Sequence, residues 1–88
     1  MYYIEVSAKA DKFLEKLDKH TKQILEKKLK KLEDNPYPQD TKFLGRDEKN
    51  EKMYRYRLGD YRALYNVKEE RKIVLIAKID KRPRVYNK

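Results

Sequence analysis

The dipeptide Gly59-Asp60 sits between two alternating runs, YRYRL and YRALYNV, and it restricts the fold more than any other feature. Glycine supplies the positive φ that tight hairpin turns need, and a two-residue turn joins its strands in a single register. Leu58 must then face Tyr61, Arg57 must face Arg62, Tyr56 must face Ala63, and Arg55 must face Leu64. Side chains alternate across a strand. One face therefore collects Tyr54, Tyr56, Leu58, Tyr61, Ala63, Tyr65 and Val67, and the other collects Arg55, Arg57 and Arg62 with Leu64 and Asn66. The first face calls for a covering layer. The second sets two arginines opposite each other, which is unfavourable on the ~0.2–1 kcal/mol scale of cross-strand pairs and softened by screening. The fold gains nothing from that pair. An oligoanion would gain, because a guanidinium binds phosphate oxygens through two parallel hydrogen bonds. The alternative is a solvated outer face that discourages edge-to-edge aggregation.

The covering layer is found upstream. YYIEV (2–6) alternates and reads as a first strand. Ser7 is a suitable N-cap for a helix with Ala10, Phe13, Leu14 and Leu17 on one stripe. KHT (19–21) breaks the pattern, with Thr21 a candidate second cap. Ile24, Leu25, Leu29 and Leu32 then mark a second helix, whose other faces carry solvated lysines. NPYP (35–38) ends it, since Pro36 drives Asn35 out of the α region. KFLG (42–45) predicts a brief strand or anchor, with Phe43 or Leu44 pointing inward. Strands are expected at 52–58, 61–67 and 72–79. KIVLIAKI (72–79) is apolar on both faces and so predicts a central position. The order β-α-α-β-β-β predicts an α+β fold, an antiparallel sheet with a two-helix hairpin packed on one face. The whole chain, 1–88, reads as one domain.

Composition narrows the chemistry. The absence of cysteine and the presence of one histidine, His20, speak against thiolate and multi-histidine metal sites. No metal and no cofactor are expected, and His20, on the helical hairpin, is given no role. No apolar run has the length of a membrane span and the N-terminus lacks the pattern of a signal peptide, so a soluble cytoplasmic protein is expected. The net charge of +9 is uneven: residues 1–50 hold 12 Lys and Arg against 10 Asp and Glu, whereas residues 51–88 hold 12 against 5. A basic half of this kind attracts a polyanion, although lysine-rich surfaces also serve solubility alone.

The chain closes on DKRPRVYNK (80–88), where Lys81, Arg82 and Arg84 surround Pro83 and precede Tyr86. A basic segment with an aromatic ring can stack a base and hold its phosphate; the alternative is a frayed end. Lys78 and Arg82 join the arginine face if the preceding loop is odd in length and leave it if the loop is even. That loop has no glycine to decide.

With these residues in view, the chain resembles the RelE/ParE superfamily of type II toxin–antitoxin toxins, and the RelE branch more closely. The resemblance rests on the element order, NP after the second helix, the K-x-L-G segment 42–45, YRYRL followed by GDYRALYNV, and the final KRPRVY. It implies a ribosome-dependent messenger-RNA endonuclease acting in the A site without metal, in which a ribose 2′-OH attacks the adjacent phosphate and leaves a 2′,3′-cyclic phosphate. It places family site positions on Arg55, Arg57, Arg62, Arg82 and Tyr86, and it puts Arg82 on the open face. Arg62 and Arg82 are then expected at the scissile phosphate and Tyr86 at a nucleotide, with Arg55 and Arg57 positioning the backbone. Lys52, Lys78, Lys81 and Arg84 are expected to add contacts to RNA. An acidic, RelB-like antitoxin is the implied partner.

One departure bears on mechanism. RelE sequences carry lysines at the two positions that Arg55 and Arg57 occupy here. A lysine can lose its proton near neutrality, whereas arginine stays charged. Lys52, Lys78 and Lys81 are the remaining candidates for a general base. Two other functions share the same features: a ParE-like toxin that inhibits gyrase and cuts nothing, and an RNA- or ribosome-binding module without chemistry.

Overall fold

The computed structural model describes residues 1–81; Arg82, Arg84 and Tyr86 lie outside the described residues. The chain runs β1 (Tyr3–Val6), α1 (Ala8–Glu15), α2 (Lys19–Lys30) with a 3-10 turn at Lys31–Glu33, β2 (Thr41–Arg46), β3 (Lys52–Leu58), β4 (Tyr61–Lys68) and β5 (Ile73–Lys81). The strands form one sheet in the order β1-β5-β4-β3-β2. β2 to β5 are antiparallel neighbours, and β1 adds to the β5 edge in parallel. The sheet is therefore mixed. Parallel pairing becomes available because the path from β1 to β5 is long and crosses through the helices. β5 has a strand on each side, as its two apolar faces imply.

Each helix is set by its first residues. The Ser7 hydroxyl accepts from the Ala10 amide at 3.1 Å and donates to the Ala77 carbonyl at 2.8 Å, so one side chain caps α1 and ties it to β5. The second cap is Asp18, where Thr21 was expected. The Asp18 carboxylate accepts from the Thr21 amide at 3.0 Å and the Thr21 hydroxyl at 2.7 Å. Those bonds hold the Asp18 carboxyl below its ordinary value of 3.8. The helix begins three residues earlier than a Thr21 cap would set it.

Ala10, Leu14, Leu25, Leu29 and Leu32 pack against Tyr56, Leu58, Ala63, Tyr65, Val67, Val74, Ile76 and Ile79. This is the tyrosine face expected from the hairpin register. Its buried phenols are satisfied by backbone: Tyr65 donates to the Pro36 carbonyl at 2.5 Å and Tyr56 to the Lys28 carbonyl at 3.3 Å. Burial pushes both phenols above their ordinary pKa. Tyr54 stacks on Tyr65 with ring centres 5.5 Å apart and meets Tyr37 at 5.1 Å. Neither Phe43 nor Leu44 points into this core; they are 52% and 44% exposed. β2 is an edge strand beyond the cover of the helices, and Phe43 only leans on Tyr54 at 5.4 Å.

The β3–β4 register is the expected one throughout, with Arg57 opposite Arg62 and Arg55 opposite Leu64. Gly59 has φ +70° and Asp60, the other central residue of this turn, does not take a positive φ, as a turn with glycine in its first central position requires. The β4–β5 connection, residues 69–72, is even in length, and Lys72 takes the positive φ that glycine would otherwise supply. By loop parity alone Lys78 would then leave the arginine face. A bulge reverses this. Tyr65 pairs with Ile76, but Leu64 pairs with Lys78, so Ala77 is an extra residue. Val74 and Ile76 face the core before it, Ile79 faces the core after it, and Lys78 and Asp80 are turned outward beside Leu64 and Arg62.

Candidate nucleic-acid interface

The helix-free face carries a groove of about 490 Å³ lined by Gln39, Asp40, Thr41, Lys42, Arg55, Arg57 and Arg62. Three pairings shape it. The β3–β4 turn fixes Arg55, Arg57 and Arg62. The β2–β3 register sets Lys42 opposite Arg55. The Arg57 amide donates to the Asp40 carbonyl at 3.1 Å, which continues that ladder one residue beyond β2.

These registers define two cross-strand rows. The first runs Asp40, Arg57, Arg62, Asp80, with the two arginines in the middle and a carboxylate at each end. The second runs Lys42, Arg55, Leu64, Lys78. The like-charge pair is thus bracketed by acids from the neighbouring strands, which reduces its electrostatic cost in the folded protein. Arg62 Nε donates to Asp80 Oδ1 at 3.0 Å, and Lys78 Nζ lies 3.5 Å from Asp80 Oδ2. The pair is about 30% exposed, so it contributes only about 0.2–1 kcal/mol. Its larger effect is orientation. The bond uses Nε, and among the described residues the Nη groups of Arg62 make no hydrogen bond. Arg55 and Arg57 have no carboxylate within 4.0 Å among the described residues. Five cations and two carboxylates share the two rows, a net positive surface with guanidinium edges open to phosphate oxygens.

The far end of the open face is closed by the β2–β3 loop. Asp47 accepts from the amides of Lys49 and Glu51, both at 2.9 Å, and from Asn66 Nδ2 at 3.0 Å. Asn66, on the arginine face by register, is consequently buried. The groove is confined to the Arg57 end.

Some expected site residues do not converge here. Lys52 shares the face of Tyr54, sits 3.5 Å from Glu69 and approaches the Tyr37 ring at 6.0 Å. Tyr37 donates to the same Glu69, which lowers the Glu69 carboxyl and, with burial as the larger cause, raises the Tyr37 phenol. Lys81 pairs with Tyr61 and so belongs to the helix side of the sheet. Neither lysine joins the groove, whereas Lys78 shares its face. His20 is exposed at the start of α2, away from it. Lys42, Asp40 and Asp80 are additions. The pairing of KFLG with YRYRL would have revealed Lys42, but its loop spans residues 47–51 and a bulge separates Phe43 from Gly45. Among the described residues no group of three His, Cys, Asp or Glu side chains could hold a metal, and no helix is long and apolar enough to cross a membrane.

Fold and groove together define a small α+β domain with one helix-covered sheet face and one basic face. Residues 4–86 match the sequence profile of the ParE toxin of type II toxin–antitoxin systems, parDE. The chain belongs to the RelE/ParE family of type II toxins. Among solved structures, a chain of the archaeal RelE–RelB complex from Pyrococcus horikoshii OT3 is 30% identical, with a TM-score of 0.84 over 96% of this chain and 98% of that one. The isolated E. coli RelE toxin is 25% identical, with a TM-score of 0.79 over 98% of this chain and 89% of that one. A chain of the RelBE2 toxin–antitoxin complex from Mycobacterium tuberculosis is 28% identical, with a TM-score of 0.72 over 92% and 98%. A comparison with curated proteins finds no significant match.

Proposed function

We propose that this toxin is a ribosome-dependent messenger-RNA endonuclease of the cytoplasm that cuts by metal-independent 2′-OH transesterification. The observation that carries this reading is the convergence of Arg55, Arg57, Arg62 and Lys42 on one groove of the helix-free face. Arginines fixed on a rigid sheet are preorganised for the charge that builds on a phosphorane. In this reading Arg62, steadied through Nε by Asp80, meets the scissile phosphate. Arg55 and Arg57 hold the backbone in line for attack, which itself lowers the barrier. Lys42 and Lys78 add phosphate contacts, with Arg84 from the following segment. Arg82 and Tyr86 would complete the site, with the cation on the leaving oxygen and the ring on a base.

The free toxin would be restrained by an acidic, RelB-like antitoxin that folds as it binds, in keeping with the RelE–RelB complexes among its structural neighbours. The decisive experiment incubates purified protein with programmed ribosomes and maps the ends of the message. Discrete cuts with 2′,3′-cyclic phosphate ends support the reading. Intact message with broken DNA would assign a ParE-like attack on gyrase, and ribosome binding without cuts would assign a non-catalytic module.

A further inference from the structure

Cleavage through a ribose 2′-OH needs a group that takes the hydroxyl proton, and the groove's three arginines stay protonated and cannot accept it. Among the described residues that line the groove, Asp40 is the one carboxylate. Its place is rigid. The Arg57 amide is bonded to its carbonyl at 3.1 Å, and the next residue closes a tight turn, with the Thr41 amide and hydroxyl both donating to the Pro38 carbonyl at 3.1 and 2.6 Å. The cross-strand register sets it beside Arg57, in the row that continues to Arg62. Asp80, at the other end of the row, is engaged by Arg62 and Lys78. Asp40, by contrast, is exposed and has no ion pair among the described residues. The remaining groove amine, Lys42, must first shed a proton in order to accept one, and it faces Arg55.

We propose that Asp40 is the catalytic base of this toxin, an assignment that rests on the endonuclease reading above. With a phosphate seated between Arg57 and Arg62, the Asp40 carboxylate receives the proton of the ribose 2′-OH. The O2′–P bond forms as the P–O5′ bond breaks. The departing O5′ takes a proton from water, leaving a 2′,3′-cyclic phosphate and a 5′-OH. The base and the two guanidiniums belong to one cross-strand row of the groove.

The test is single-turnover cleavage of message on programmed ribosomes at saturating toxin, with ribosome binding and thermal melting measured in parallel. Asp40→Asn keeps the shape and removes the basic oxygen. It is expected to cleave about 10²-fold or more slowly, with binding equal to or tighter than wild type and melting unchanged. Asp40→Glu should recover part of the rate. Lys42→Met should weaken binding, and Lys30→Ala on α2, outside the groove, should leave both binding and the saturated rate at wild type. Asp40→Asn cleaving at the wild-type rate overturns the assignment, as does a loss of cleavage matched by an equal loss of binding. Cleavage abolished by Lys42→Met at saturation, with Asp40→Asn active, transfers the role to Lys42. A wild-type protein that binds ribosomes and cuts nothing overturns the endonuclease reading itself, and this assignment with it.

Discussion

The two faces of the β3–β4 hairpin are built from the same strands and differ in almost everything else. One face stacks Tyr54, Tyr56, Tyr61 and Tyr65 with Leu58, Ala63 and Val67 toward the helices, and the Tyr56 and Tyr65 phenols use backbone carbonyls of α2 and the following loop. The other holds Arg55, Arg57 and Arg62 toward an open groove. Burial stabilises the first through apolar area. The second contributes little to folding, since its charges are exposed or only partly paired. Residues that hold the fold and residues that hold a ligand are thus interleaved at every second position. Substitutions on neighbouring residues should therefore separate stability from activity.

The sharpest way to break this contrast is to truncate one residue on each face. Tyr65→Ala, on the buried side, is expected to destabilise by about 3–5 kcal/mol, read as a lower urea midpoint. Arg62→Ala should leave the urea midpoint near wild type. Under the endonuclease reading it should also lower message cleavage by about 10²–10³-fold, while Lys30→Ala on α2 leaves cleavage unchanged. Equal, small losses for both variants would remove the site from this sheet. A smaller effect sharpens the electrostatic side. Arg57→Ala and Lys42→Ala should each reduce the slope of log affinity for single-stranded RNA against log salt by about 0.7–1. Lys52→Ala should leave that slope unchanged, because its charge is on the helix side with Glu69. Ser7→Ala should lower stability by about 1–2 kcal/mol through the loss of its cap, with no direct effect on RNA binding.

The smallest effect concerns pH. The Asp18 carboxyl is depressed when folded, so its contribution is present above the ordinary value of 3.8 and fades as the pH falls through the lower folded value. The difference in melting temperature between wild type and Asp18→Ala should be largest at neutral pH and shrink in strong acid.

Much of this arrangement was legible in the residues. Gly59-Asp60 dictated one register, and that register sorted Tyr56 from Arg57 without any knowledge of the rest. The apolar spacing of Ala10 and Leu14, and of Leu25, Leu29 and Leu32, was enough to place the covering layer. What remained hidden depends on pairings between distant segments. Lys42 enters the groove through an edge strand whose loop has no diagnostic turn and whose ladder is bulged. Asp80 and Lys78 reach the same open face through an irregularity at Ala77 that no local residue preference marks. Lys52 looks like part of the basic patch in composition, yet strand alternation turns it to the opposite side. Charge counts describe a neighbourhood; only parity decides which side of the sheet a charge occupies.

Ala77 works on β5 much as a one-letter insertion works on a reading frame. Upstream of it the strand serves the interior in one phase, and downstream it serves both the interior and the groove in the other. Deleting Ala77 alone should leave a regular ladder in which Ile79 still faces inward and Lys78 and Asp80 still face outward, with only the Ser7 hydroxyl's bond to β5 forfeited. Loss of this one residue is therefore expected to be tolerated, whereas loss of Ile79 two positions on would bring a charged side chain to the inner face.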